Sequence, residues 1–215
     1  MSIKFASYRF TTQMKFAVAP YIRNATGNHV FEVFEQVQQA CDNKHGLKQD
    51  QWFMRNVNTG ELMSPWHDVS LESTSGEKDE LTGVIEITRN TKKKLETNKQ
   101  LPYNPIMQDT TIDKETGERV LRSYVKPPKF NYGFVPRTWC SDKEGGDSDA
   151  IDLVDLSQKQ LKPILGVSDY KVLGLVGLVD QGELDCKVLA IEVTEANERG
   201  IRNLADYNRQ NPGAV

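Results

Sequence analysis

Cysteine and histidine are scarce in this 215-residue chain: three of each, Cys41, Cys140 and Cys186, and His29, His45 and His67. The cysteines form no CxxC pair, which argues against a zinc site. A sparse, odd set suits a reducing compartment. No histidine lies near the acidic segment described below. No apolar run approaches the roughly 20 residues of a membrane span, so no membrane partner is expected. A basic surplus is also missing. The net charge of −3 excludes a general nucleic-acid binder, which carries a strong positive excess. Acid is absent from the first 31 residues, which hold Lys4, Arg9, Lys15 and Arg23 before Glu32. The remainder carries 23 basic and 30 acidic residues, a balance of −7. An acid-free, Ser/Thr-bearing start resembles an organelle transit segment. A loosely ordered basic tail, or a chain that starts at Met14, reads the same way.

Acid is plentiful in one place. Asp142, Glu144, Asp147, Asp149, Asp152 and Asp155 fall within fourteen positions. Carboxylates this dense repel one another and are tolerated when solvated or when cations hold them together. Hard divalent cations with oxygen ligands are the natural partner. The centre is Asp147-Ser148-Asp149-Ala150-Ile151-Asp152. A calcium loop of the EF-hand type would need Gly at its sixth position and Glu at its twelfth. Asp152 and Gln158 stand there instead. Incomplete protein ligation, with waters and a phosphate on the metal, suits magnesium better. The plain alternative is a solvated acidic loop.

Hydrophobic residues make up 38% and charged residues 27% of the chain, so a folded core is expected. Residues 29–45 read as a helix, because Val30, Phe31, Phe34, Val37 and Cys41 recur at three- and four-residue steps. The loop after it, residues 46–50, lacks calcium-ligand order. From Gln51 onward the texture changes to short strands and turns. Strand pieces are expected at 83–87, 94–96, 120–125 and 151–156. Residues 171–179 and 185–193 read as a hairpin about a turn at Gln181-Gly182. Helix returns near 197–207. Strands every 10–20 residues with little helix between them suggest a small barrel. The chain thus divides into residues 1–50, an extension with one helix, and residues 51–215, the barrel unit. The class is α+β, mainly β.

Two further groups carry charge in pattern. Asp180-Gln181-Gly182-Glu183-Leu184-Asp185-Cys186-Lys187 spans the hairpin turn. Asp185 and Lys187 share a strand face, as do Lys94 and Glu96. Such a lysine can orient carboxylates or reach a substrate oxygen; a solvated ion pair worth little is the bland reading. Asp109 has no role that spacing supplies.

Taken in order, these motifs resemble family I soluble inorganic pyrophosphatases of the eukaryotic type. That family's signature is Asp-x-Asp-Pro-hydrophobic-Asp, with Ala150 here in the proline's place. Asn131-Tyr132-Gly133 with Pro136, Thr138 and Trp139, Asp180 to Lys187, Glu86-Ile87-x-Arg89, Lys94-Leu95-Glu96 and Ser64-Pro65-Trp66-His67-Asp68 match other family segments. The resemblance spans about residues 51–213.

It implies an OB-like five-stranded barrel with peripheral helices, and magnesium-dependent hydrolysis of pyrophosphate to two phosphates, with two or more Mg2+ ions per site. It implies that Asp147, Asp152 and Asp185 hold the tightest metal. Asp152 also serves a second metal, and Glu96, Asp180 and Asp185 hold metals that arrive with substrate. Asp149 is the implied general base. Lys94 and Tyr132 contact phosphate, Lys187 supports the carboxylates, and Glu86 stands behind the ligands. Arg119 or Arg122 binds phosphate, with Arg119 favoured. The resemblance further implies a homodimer or higher homo-oligomer. It implies a cytoplasmic location, or a mitochondrion or acidic polyphosphate-storing organelle reached through residues 1–50. Two departures stand out. A family tyrosine falls at Pro128, and the chain stops at Val215, before a helix that carries a phosphate-gripping Tyr-Lys pair. A fragment of a longer chain is the simplest account. The rival reading is a weakened or inactive metal-binding relative that acts through partners.

Overall fold

The computed structural model describes residues 21–23, 30–39, 48–159, 161–180 and 182–213. In chain order the strands are β1 (Tyr21–Arg23), β2 (Val30–Gln39), β3 (Lys48–Asn56), β4 (Leu62–Met63), β5 (Glu80–Ile87), β6 (Leu95–Thr97) and β7 (Ile106–Gln108). They continue as β8 (Thr110–Ile112), β9 (Arg119–Leu121), β10 (Asn131–Phe134), β11 (Asp152–Asp155), β12 (Val167–Asp180) and β13 (Glu183–Glu192). Two short helices follow, α1 (Val193–Arg199) and α2 (Leu204–Gln210).

Five strands close a barrel in the order β10-β11-β13-β12-β5. Its pairs are antiparallel except β11 with β13, which run parallel. This is the expected OB-like, mainly β architecture. The apolar run Gly83-Val84-Ile85 explains why β5 sits centrally, with Val84 and Ile87 in one core cluster and Ile85 in another. A run buried on both sides cannot serve as a half-solvated strand. Gly133 lets β10 close against β5. A Cβ there would lie 1.9 Å from the Val84 carbonyl oxygen. No side chain fits, and the register shift beside it sets the aim of Tyr132.

A second sheet, β1-β2-β3-β7-β6, has β4 paired to β3. Here one expectation is overturned. Residues 30–39 form strand, not helix, and β2 pairs antiparallel with β3 from Phe31↔Asn56 to Gln39↔Lys48. The three-and-four spacing of Val30, Phe34 and Val37 is real, but a nine-residue ladder outweighs a weak local preference. His29 and residues 40–45 of that expected helix lie outside the described residues, as does the acid-free start to residue 20. Strand β3 runs across residue 50 and so joins β2 to β7.

The hairpin expected around Gln181-Gly182 is β12–β13, longer than foreseen, with Asp180 opposite Glu183. The helix expected near 197–207 is two helices. Gly200, at φ 65°, ends α1 in a left-handed cap, a conformation glycine adopts without penalty. The Asn203 side chain then accepts a hydrogen bond from the Asp206 N–H and starts α2.

Candidate active site

Barrel register gathers the charged residues. β11 beside β13 sets Asp152 opposite Lys187, and β12 beside β13 sets Leu178 opposite Asp185. Lys187 Nζ donates to Asp152 Oδ2 at 2.6 Å and to Asp185 Oδ1 at 2.8 Å. It also reaches Tyr132 Oη at 2.8 Å, and that hydroxyl donates to Asp152. One lysine thus ties three strands together at one point.

These groups face a cleft of about 470 Å³. Seven carboxyl groups line it, those of Glu86, Glu96, Asp147, Asp149, Asp152, Asp180 and Asp185, against four cationic side chains, Lys94, Lys99, Arg122 and Lys187. Segments far apart in sequence therefore share one wall. The loop bearing Asp147 and Asp149 is held by backbone. Cys140 N–H donates to the Asp149 carbonyl at 2.8 Å and Ser148 N–H to the Cys140 carbonyl at 2.9 Å. Ser148 takes a left-handed φ of 60°. Asp147 Oδ1 accepts from the Asp149 N–H at 3.0 Å.

Burial dominates the electrostatics. It raises Asp152 to about 6, although bonds from Lys187 and Tyr132 pull the other way. It raises Asp147 as well. Burial and the neighbouring Asp152 charge push Tyr132 far above the ordinary phenol range. For Lys187 burial pulls downward, but its bonds to Asp152 and Asp185 prevail and hold it raised. Lys94 behaves likewise with Glu96 and Asp109.

Glu86 is the extreme case. It accepts from Thr97 N–H at 2.7 Å and from Thr97 Oγ1 at 2.6 Å. Burial nevertheless lifts it to about 8. Between about pH 4.5 and 8 the folded chain keeps a proton that the unfolded chain releases, so stability falls as pH rises through that window. We expect the cation-free protein to lose about 2–5 kcal/mol between these limits. Glu86→Gln should remove most of that slope. Urea unfolding at pH 5 and pH 8 checks it, and an unchanged slope in the variant would remove Glu86 as the source.

Of the two arginines left open by the sequence, Arg122 lines the cleft, its Nη1 at 2.6 Å from Asp109 Oδ2. Arg119, the favoured one, lies in a neighbouring groove and donates to Thr110 Oγ1 at 2.9 Å. Positions three apart on extended backbone face opposite sides, so only one could point inward. Asp109, for which spacing gave no role, bridges Lys94 at 3.2 Å and Arg122. Lys94 also pairs with Glu96. Lys99 was missed. Its Nζ lies 2.8 Å from Asp149 Oδ1. A basic residue in a loop five positions past Lys94 carries no signal in one sequence.

Among the described residues, no three carboxylates are already drawn to one point in cation-ligating geometry. The Lys187 ammonium stands between Asp152 and Asp185 as their countercharge. The donor set still fits a hard divalent cation, because every carboxyl is an oxygen ligand and negative charge exceeds positive.

The sequence profile of the family described as inorganic pyrophosphatase matches residues 83–213. The inorganic pyrophosphatase of Candida albicans is 34% identical over 165 residues, 73% of this chain and 56% of that protein. The mouse inorganic pyrophosphatase is 35% identical over 170 residues, 75% of this chain and 56% of that one. The crystal structure of type I inorganic pyrophosphatase from Toxoplasma gondii superposes with a TM-score of 0.70 at 31% identity, over 86% of this chain and 79% of that one. The recombinant inorganic pyrophosphatase of Trypanosoma brucei brucei gives 0.67 at 27% identity, over 86% and 57%. The chain spans about half the length of the curated relatives it matches.

Proposed function

We propose, from the premise that this chain belongs to the inorganic pyrophosphatase family, that the protein hydrolyses pyrophosphate to two orthophosphates with magnesium. The observation that carries this reading is the single cleft in which Asp147, Asp149, Asp152, Asp180, Asp185 and Glu96 face Lys94, Arg122 and Lys187. Anionic groups that can hold cations, and cationic groups that can hold phosphate, are what a small polyanion needs.

Asp147, Asp152 and Asp185 would hold the tightest cation. Asp152 would also serve a second, and Glu96, Asp180 and Asp185 would hold ions that arrive with substrate. Two or more Mg2+ ions bound there supply neutralisation of phosphate charge and a lowered pKa for water. The remaining chemistry belongs to the chain. Asp149 accepts a proton from the attacking water. A new P–O bond forms, the bridging P–O bond breaks, and one phosphate departs. Lys94, Arg122 and Tyr132 bind the oxygens on which charge collects, and Lys187 keeps Asp152 and Asp185 aimed. Such transfer rests mostly on positioning and charge stabilisation. Phosphate release from pyrophosphate, with and without magnesium, tests the reading. No magnesium-stimulated release above background would end it.

Arg122 takes the phosphate role here in place of Arg119. Loss of one charge-assisted hydrogen bond is worth about 1.5–3 kcal/mol. Arg122→Ala should therefore cut kcat/KM about ten- to a hundredfold, and Arg119→Ala should leave it within about twofold. The reverse order in steady-state kinetics would reassign the role.

We read residues 51–215 as the catalytic unit and residues 1–50 as accessory. Homo-oligomer formation and a cytoplasmic location, with residues 1–50 as the place for any organelle address, rest on the family alone.

A further inference from the structure

Residues 122–124 run antiparallel to residues 92–94. Ser123 forms a bridge with Lys93. Beside it, Lys94 N–H donates to the Arg122 carbonyl at 3.2 Å and Tyr124 N–H to the Lys92 carbonyl at 2.7 Å. The bridge sets Arg122 opposite Lys94 and Tyr124 opposite Lys92. Residues directly opposite, and residues two apart on one strand, share a face. Tyr124 therefore stands on the face of Lys94 and Arg122. All three line the cleft, and Lys92 does not. The tyrosine ring is half-buried and packs on the core cluster that holds Ile87, Leu95 and Phe134. Those three also line the cleft, so the core that fixes the ring is the cleft's own floor. The charges that act on the Tyr124 hydroxyl are those of Lys94, Glu96, Glu86 and Arg122, all of them cleft groups.

We propose that Tyr124 is a further substrate-binding residue, whose hydroxyl donates to a terminal phosphate oxygen of pyrophosphate beside Lys94 and Arg122. This rests on the pyrophosphatase reading above and adds a residue to it. The commitments of its neighbours argue for the role. Three hydroxyl side chains line the cleft, those of Thr97, Tyr124 and Tyr132. Thr97 donates to Glu86. Tyr132 donates to Asp152 and accepts from Lys187. The Tyr124 hydroxyl has no hydrogen-bond partner among the described residues. The cations beside it are also taken, Lys94 by Glu96 and Asp109, and Arg122 by Asp109. A donor without a partner, on a wall built to meet an anion, is a donor held for the ligand. Its neutrality suits the place. A third cation there would draw a carboxylate away from a bound metal, whereas a phenol adds a hydrogen bond and no charge. Burial, the largest influence on this phenol, holds it above its ordinary range, so the proton to be donated stays in place at neutral pH.

Tyr124→Phe tests it, because the ring and its packing stay and only the donor goes. A neutral hydrogen bond of ordinary strength corresponds to about a three- to tenfold effect. KM for magnesium pyrophosphate should rise by that factor, kcat/KM should fall to match, and the unfolding midpoint should hold. Such a split marks lost binding, which a merely structural side chain would not give. Titration calorimetry with methylenediphosphonate and magnesium supplies a second measurement, since the P–C–P bridge of that probe is not hydrolysed. Its Kd should weaken by the same factor in the variant. KM and Kd both within about twofold of the parent, or a fall in kcat with KM unchanged, would overturn the proposal. A parent that binds the probe but releases no phosphate from pyrophosphate would end the hydrolase reading and leave Tyr124 to be judged by the two affinities. A parent that neither binds the probe nor releases phosphate would end both.

Discussion

Asp149→Asn is expected to lower kcat for pyrophosphate by at least about a hundredfold, the usual yield of a positioned general base. Geometry makes the variant informative. The Asp149 backbone is fixed by its own N–H to Asp147 Oδ1 and by its carbonyl to Cys140 N–H, and an amide side chain disturbs neither. The side chain is half-exposed and paired only with Lys99 among the described residues, so the fold should not respond. What changes is the capacity to take a proton. Single-turnover phosphate release at saturating magnesium, with an unfolding midpoint alongside, separates the two. A rate within a few-fold of the parent would remove Asp149 as the base and leave the cation site untouched.

Asp152→Asn should act differently. Asp152 meets both Lys187 and Tyr132 and lies where β10, β11 and β13 adjoin. Groups that merely orient a metal ligand cost about 10–100-fold in affinity when lost. A direct ligand should cost at least about a hundredfold. The magnesium concentration for half-maximal rate should rise by that factor, and excess magnesium should restore part of the rate. Asp149→Asn should show no such rescue. A magnesium titration of both variants decides the roles. If Asp152→Asn kept the parent's half-saturation point, the cluster would not be the cation site.

Much of this was legible in the chain because it is local. Asp147 to Asp152, Asp180 to Lys187 and Lys94 to Glu96 are each runs of at most eight residues. Strand alternation alone puts Lys187 with Asp185 on one face. The hairpin and β5 also announce themselves, through a glycine turn and an apolar run. Residues 29–45 misled because helical spacing was judged without the partner strand. The choice between Arg119 and Arg122 was out of reach for a similar reason. Spacing says that the two face opposite ways, but not which way is inward. Asp109 and Lys99 gave no signal, since a lone charge on a loop acquires meaning only from the group it meets.

The amino-acid order by itself determined which groups could do the chemistry: an excess of hard oxygen donors, and charged motifs at several distant points of the chain. Tertiary structure decided which of them meet. Closing β10 on β5 at Gly133 and laying β11 beside β13 puts Asp152, Asp185 and Tyr132 around Lys187. The physical reason is that a residue's type and spacing are written in the chain, whereas its neighbours across the barrel, and hence its charge state and aim, come from packing and strand register.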